Sequence, residues 1–186
     1  GIIGQMMEKV VLPPFRPRRT EEEIRKQMPW ATQGKLAGHK RNVITSLELD
    51  PAIMEENNIR FQAKYRKIEE AEVRYEEIGC ENADYLMIAF GSMARICLKT
   101  QEMALAEGIK VGVLRPITLW PFPSKIIAEY ANKVKGMISV ELNAGQMVED
   151  IRLAVNGKVK VEHFGRLGGI VPTPDEVLNA LKQKLM

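Results

Sequence analysis

Cysteine and histidine are nearly missing from this sequence. Its two cysteines, Cys80 and Cys97, form no CxxC pair. Two thiolates alone hold neither an iron–sulfur cluster nor a closed zinc site. The two histidines, His39 and His163, lie too far apart for metal-ligand spacing and are expected to be structural or exposed. Aromatic residues make up 6% of the chain, and none interleaves the N-terminal arginines as a nucleic-acid platform requires. No apolar run approaches the roughly 20 residues of a membrane-spanning helix. No basic–apolar–small signal opens the chain, so a cytoplasmic location is expected. Also missing are GxxxxGK[ST], a GxGxxG after a strand, GxSxG, HExxH and a GDG-type metal and diphosphate motif. There is no internal repeat and no low-complexity tract. The residues assemble no complete active site.

What the sequence does contain is centred on residues 84–141. Tyr85 to Phe90 is apolar throughout, which suits a strand covered on both faces. From Ser92 the spacing turns helical, with Met93, Ile96, Cys97, Thr100 and Ala104 on one side and Gly108 closing the helix. Cys97 is therefore expected in the core. Val111 to Leu114 forms a second strand, ended by Arg115-Pro116. Pro123 opens a helix bearing Ile126, Ile127, Tyr130 and Val134, and Met137 to Val140 forms a third strand. Parallel strands need such helical crossovers, so this alternation predicts an open, mostly parallel sheet with helices on both faces, a three-layer α/β architecture. Downstream, a helix follows Gly145 and ends at Asn156-Gly157. Lys158 to Phe164 alternates as an edge strand does, and Thr173-Pro174-Asp175-Glu176 starts the last helix.

The N-terminal part reads differently. Residues 1–42 carry nine Lys/Arg against four Glu, or +5, whereas residues 43–83 carry five against ten acids, or −5. The basic arm suits either an acidic partner or a solvated, subunit-covering role. The abrupt apolar opening from Ile2 to Leu12 is expected to be the tail of a preceding domain or a helix packing on the sheet. Pro13, Pro14 and Pro17 favour an extended path, Thr20 caps a short acidic helix, and Trp30 is the natural anchor of the arm. Val43 to Leu49 is a short strand or an extended docking segment. Asp50-Pro51 starts a charged helix expected to run to residue 78, with Phe61, Tyr65, Ile68, Tyr75 and Ile78 on one side, Glu72 interrupting that stripe, and Glu70 placed to pair with Arg74. Asn57-Asn58 is a place for it to kink or split. The expected organisation is residues 1–42 as domain tail and arm, 43–83 as strand plus linking helix, and 84–186 as the α/β domain.

Ligands in open α/β sheets meet the carboxyl ends of the strands. That rule selects Gly91, Ser92, Arg115 and the stretch from Glu141 to Gln146, and the glycine-rich loop further on adds Arg166, as candidate binding residues. Ser92 and Gly145 precede helices, whose first N–H groups suit an anion, although a Gly-Ser pair also simply turns and caps. Arg115 suits a carboxylate or phosphate, or a pairing with Glu141 at the next strand end. Arg166 with Gly168-Gly169 suits a phosphate or only a bend. Glu141 without a neighbouring base, metal or nucleophile defines no reaction.

Three stretches carry a resemblance: GSMARICLKTQEMALAEGIKVGVLRPITLWPFP, ISVELNAGQMVEDIRLAVNG and HFGRLGGIVPTPDEV. Together they resemble the alpha subunit of 2-oxoacid:ferredoxin oxidoreductases of the 2-oxoisovalerate and 2-oxoglutarate types. GQMMEKVVLPP, the Trp30 arm and NVITSLELDP fit the same subunit. The resemblance implies a transketolase C-terminal-like domain that follows a thiamine-diphosphate pyrimidine-type domain. It implies oxidative decarboxylation of a 2-oxoacid to its acyl-CoA with electrons passed to ferredoxin, in a hetero-oligomer with beta, gamma and ferredoxin-like delta subunits. Thiamine diphosphate, magnesium and iron–sulfur clusters would lie in other parts of that holoenzyme, with none bound by this chain alone. The six candidates fall in the matching motifs, and no catalytic role transfers to any of them. The chain is then a non-catalytic assembly domain that helps close a shared active site. Two other readings stay open: the same fold in a transketolase or 2-oxoacid dehydrogenase component, and a free-standing module that binds coenzyme A or another anion. No nucleic acid and no membrane are expected as partners.

Overall fold

The computed structural model describes residues 12, 14–16, 19–31, 40–43 and 45–186. Among them the chain divides into two compact units, one ending at Phe61 and one running from Gln62 to Met186. The first unit holds helix α1, Glu21–Gln27, started by a full capping box. The Glu23 N–H donates to Thr20 Oγ1 at 3.2 Å, and the Thr20 N–H donates to the Glu23 carboxylate at 2.7 Å. No residue of α1 is buried. Trp30, expected as an anchor, is 58% exposed. The apolar opening from Ile2 to Val11, the Gly34 to Gly38 stretch and His39 lie outside the described residues. Val43 and residues 45–49 form no strand.

Helix α2, Pro51–Ala71, begins where expected. Asp50 Oδ1 accepts from the Ala52 N–H at 2.8 Å and from the Ile53 N–H at 3.4 Å. It runs unbroken through Asn57-Asn58, where the exposed Asn58 amide donates back along the helix to the Met54 carbonyl at 2.9 Å. None of its residues is buried. The expected extension to residue 78 is wrong: Tyr75–Ile78 is strand β1. The backbone of Arg74 is claimed elsewhere. Its N–H donates to Thr118 Oγ1 at 3.0 Å, and its carbonyl accepts from the N–H groups of Ile117 and Thr118 at 2.9 and 3.1 Å. Arg74 consequently pairs with Glu72 at 2.8 Å and not with Glu70.

The second unit continues with β2 (Tyr85–Ile88), α3 (Gly91–Ala106), β3 (Val111–Pro116), α4 (Ser124–Tyr130), β4 (Gly136–Glu141), α5 (Met147–Val155), β5 (Val161–Gly165) and α6 (Pro174–Leu185). The five strands lie in the order β1-β3-β2-β4-β5. β1 is antiparallel to β3, and the other three pairings are parallel. Helices cover both faces. Met87, Val113, Ile138 and Val140 pack against residues of α3 and α6, while Leu86, Ile88, Leu114 and Met137 pack against residues of α4 and α5. This is the expected three-layer, mostly parallel α/β fold. Cys97 has no exposed surface and lies in the first of these cores, as its spacing predicts. Each large apolar side chain so buried contributes about 1.5–3 kcal/mol. β5 takes an edge with every residue half-buried, which accounts for its alternating sequence.

Candidate functional site

The strand order fixes where a crevice forms. From β2 the chain leaves through α3 to β3 on one side, and from β4 it leaves through α5 to β5 on the other. α3 and α5 lie on opposite faces of the sheet. Diverging connections leave an opening outside the carboxyl ends of the two neighbouring strands. Two of the candidate segments meet there: Gly91-Ser92 after β2, and Glu141 to Gln146 after β4.

Glu141 ends β4 and is 1% exposed. Its Oε1 accepts from the Ser139 hydroxyl at 2.7 Å and the Val148 N–H at 3.0 Å. Its Oε2 accepts from the N–H groups of Met147 at 2.9 Å and Gln146 at 3.1 Å. The carboxylate therefore closes the N-terminus of α5 from inside the protein, where the exposed N–H groups and the helix dipole favour negative charge. Burial is the strongest single influence on its proton affinity and pushes the carboxyl up. Hydrogen bonds from Ser139, Met147, Gln146 and Asn143 together outweigh it and hold the group below the usual carboxylate range. Ionised and with both oxygens engaged, Glu141 has no proton to give. The expectation that N–H groups near Gly145 await an anion is corrected on the same ground. The chain's own carboxylate takes them, and the Gly145 N–H goes to Asn143 Oδ1 at 2.7 Å.

Two neighbours escaped the sequence reading. His163 of β5 stands beside Ser139 in the strand register. Its Nε2 is buried without a hydrogen-bond partner, 3.8 Å from Glu141 Oε1. Gly165 lies beside Glu141, and a Cβ there would come within 2.2 Å of the Asn143 carbonyl oxygen. Only glycine lets the loop after β4 lie this close to β5. No motif signals this contact, because it depends on the register of two strands.

The other helix start at the crevice is different. α3 begins at Gly91, and its N-cap position is Phe90, which supplies no side-chain cap. Gly91 has φ +56° and is exposed, with nothing within 4 Å of where a Cβ would stand. Ser92 is half-buried inside the first turn and does not cap the helix, which corrects the capping alternative. The first N–H groups of α3 are thus left without an acceptor from a capping side chain.

Arg115 and Arg166 stand apart from this opening. Arg115 pairs with Glu76 of β1 at 2.9 Å, not with Glu141, because β2 lies between β3 and β4. Both partners are about half exposed, so the pair contributes about 0–1 kcal/mol. Arg166 pairs with Glu176 at 2.9 Å, and its N–H donates to the Glu141 carbonyl at 3.3 Å. Glu176 also completes the Thr173 capping box of α6, so Arg166 fastens the Gly168-Gly169 turn to that helix.

Metal-ion and iron–sulfur chemistry needs grouped ligands or accessible thiolates. Among the described residues no three His, Cys, Asp or Glu side chains are grouped to hold a metal ion. Burial pushes the Cys80 thiol up to about 11 and the Cys97 thiol higher still. Both are protonated near neutrality and poor ligands. No helix among the described residues is long and apolar enough to cross a membrane.

Comparison with known proteins agrees with this architecture. The family model for pyruvate:ferredoxin oxidoreductase core domain II matches residues 83–177. The ketoisovalerate oxidoreductase subunit VorB of Methanothermobacter thermautotrophicus is 43% identical over 183 residues, covering 98% of this chain and 50% of that protein. The 2-oxoglutarate synthase subunit KorA of Methanothermobacter marburgensis is 34% identical over 101 residues, or 54% of this chain and 27% of that protein. Among solved structures, the 2-oxoglutarate:ferredoxin oxidoreductase from Magnetococcus marinus with 2-oxoglutarate, coenzyme A and succinyl-CoA bound shares the fold. Its TM-score is 0.67 at 24% identity, over 81% of this chain and 28% of that one. A split-gene transketolase also shares the fold, with a TM-score of 0.52 at 20% identity over 60% of this chain and 41% of that one. The chain spans about half the length of the VorB relatives it matches. With this fold, this strand order and a core-domain match over residues 83–177, the chain belongs to the 2-oxoacid:ferredoxin oxidoreductase family.

Proposed function

We propose that this chain is the second-domain part of the alpha subunit of a thiamine-diphosphate-dependent 2-oxoacid:ferredoxin oxidoreductase. The enzyme would decarboxylate a 2-oxoacid, transfer the acyl group to coenzyme A, release carbon dioxide and pass the electrons to ferredoxin. This chain is an assembly domain of that enzyme and carries none of the chemistry. Thiamine diphosphate, magnesium and iron–sulfur clusters are held by other segments and by beta, gamma and ferredoxin-like delta subunits, in the cytoplasm. Residues 84–186 form the transketolase C-terminal-like domain, with residues 1–42 as tail and arm and 43–83 as the linking segment.

The observation that carries this reading is the state of Glu141. The one buried carboxylate at the strand ends is spent on Ser139 and the start of α5. A group so engaged builds a surface and performs no proton transfer. What the crevice still offers is the uncapped start of α3 at Gly91 and Ser92, facing outward for an anionic group or a neighbouring polypeptide. Gln146, exposed just before α5, borders that surface, while Arg115 and Arg166 lie outside it, paired with Glu76 and Glu176.

The test is viologen-linked oxidation of a panel of 2-oxoacids with coenzyme A, by the isolated chain and by the assembly purified with its other subunits. The proposal expects turnover from the assembly only. Oxidation by the isolated chain would overturn it, as would an assembly whose rate is unchanged when this chain is omitted.

A further inference from the structure

An open groove of about 360 Å³ lies between the end of α2 and the start of α4. Val73, Phe122 and Ile126 are half-buried in its floor. Glu69, Glu70 and Glu129 stand on its rim against one cation, Lys125. The loop entering it presents Trp120 with 55% of its surface exposed, although Tyr65 packs edge-on against that ring at 5.6 Å. The backbone of this loop is tied to Arg74, so the exposed ring stands on a fixed support. An apolar floor, an acid-rich rim and a rigid exposed aromatic are the parts of a docking site for a basic, apolar, extended segment.

The N-terminal part of the chain carries a segment of that chemistry. Residues 12–19 read Leu-Pro-Pro-Phe-Arg-Pro-Arg-Arg. Leu12 is 80% exposed and Phe15 is 90% exposed. The three prolines restrict the backbone in advance, which lowers the entropy lost when the segment is ordered on a surface. Arg16, Arg18 and Arg19 match the three glutamates in number and oppose them in sign. The surrounding sequence repeats the contrast, with +5 over residues 1–42 and −5 over residues 43–83.

We propose that residues 12–19 of a second copy of this chain dock into the groove lined by Glu69, Glu70, Phe122, Ile126 and Glu129, and that the exchange is reciprocal across a two-fold axis. A reciprocal contact of this kind is isologous and closes at two copies. It stands apart from the proposed function and holds whatever reaction the assembly performs.

The experiment is sedimentation equilibrium and light scattering on the chain over a range of concentration and salt. The expected result is a species of twice the 21.0 kDa chain mass, which dissociates as salt is raised. Two charge-reversed chains carry the decisive arm, Arg16→Glu/Arg19→Glu and Glu69→Arg/Glu129→Arg. All four positions are exposed, and circular dichroism verifies that both variants fold. Each variant alone should be monomeric, and an equimolar mixture should restore the dimer, because each arm then meets a groove of opposite sign. A monomeric unmodified chain at the highest concentration, a dimer that survives in either variant alone, or a mixture that stays monomeric would each overturn the proposal.

Discussion

Two helices begin at the same crevice and are finished in opposite ways. α5 has its first N–H groups closed by Glu141, a carboxylate of its own chain with 1% exposure. α3 starts on Gly91 with no side-chain cap, and its first residue faces outward. A helix start left without a side-chain partner is satisfied by water or by something the chain does not supply. The contrast teaches that one wall of the crevice is built by folding, and the other is left for whatever meets it.

The largest effect should come from removing the internal cap. Glu141→Ala leaves a buried hydroxyl and three backbone N–H groups without their acceptor. Each such loss costs about 1–3 kcal/mol, so unfolding in urea should report a destabilisation of at least about 4 kcal/mol. Restoration of full stability by Glu141→Gln would show that shape matters and charge does not, and would break the comparison. Next comes acid. The folded carboxyl of Glu141 is held below its ordinary value, so its contribution is complete above the unfolded pKa of about 4.3 and is lost as pH falls through the lower folded value. Urea titrations between about pH 6 and pH 2.5 should show that loss in the unmodified chain, and a smaller one in Glu141→Gln.

The open wall should respond more weakly. Gly91→Ala introduces a Cβ that meets nothing within 4 Å, so its cost is the left-handed backbone alone, about 1–2 kcal/mol by thermal or urea unfolding. Smallest is Ser92→Ala, expected within about 0.5 kcal/mol because the hydroxyl caps nothing. A loss above about 1 kcal/mol at Ser92 would mean that this wall, too, is held from within.

Most of the α/β unit was legible because its signals are local and redundant. The apolar runs at Tyr85, Val111 and Met137 and the helical spacings between them are what a covered parallel sheet requires, whatever ligand it serves. β1 was not legible. Phe61, Tyr65 and Ile68 do lie in α2, Tyr75 extends their spacing past the helix end by chance, and an exposed edge strand carrying Glu76 and Glu77 lacks the apolar alternation that marks a strand. Strand-end positions picked out Glu141 but not its task, because its partners Gln146, Met147 and Val148 are fixed by how the loop turns. Arg115 was matched to the wrong acid for a related reason: chain order places Glu141 on the next strand, whereas the sheet interposes β2 and brings Glu76 alongside. His163 and Gly165 belong to the site only through the register of β4 with β5.

The most direct test of this contrast is residue-resolved amide hydrogen exchange on the folded chain. The N–H groups of Met147 and Val148 should be strongly protected and should lose that protection in Glu141→Ala, while those of Gly91 and Ser92 exchange rapidly in both. Equal protection at the two helix starts, or a Val148 N–H indifferent to the loss of Glu141, would contradict the account.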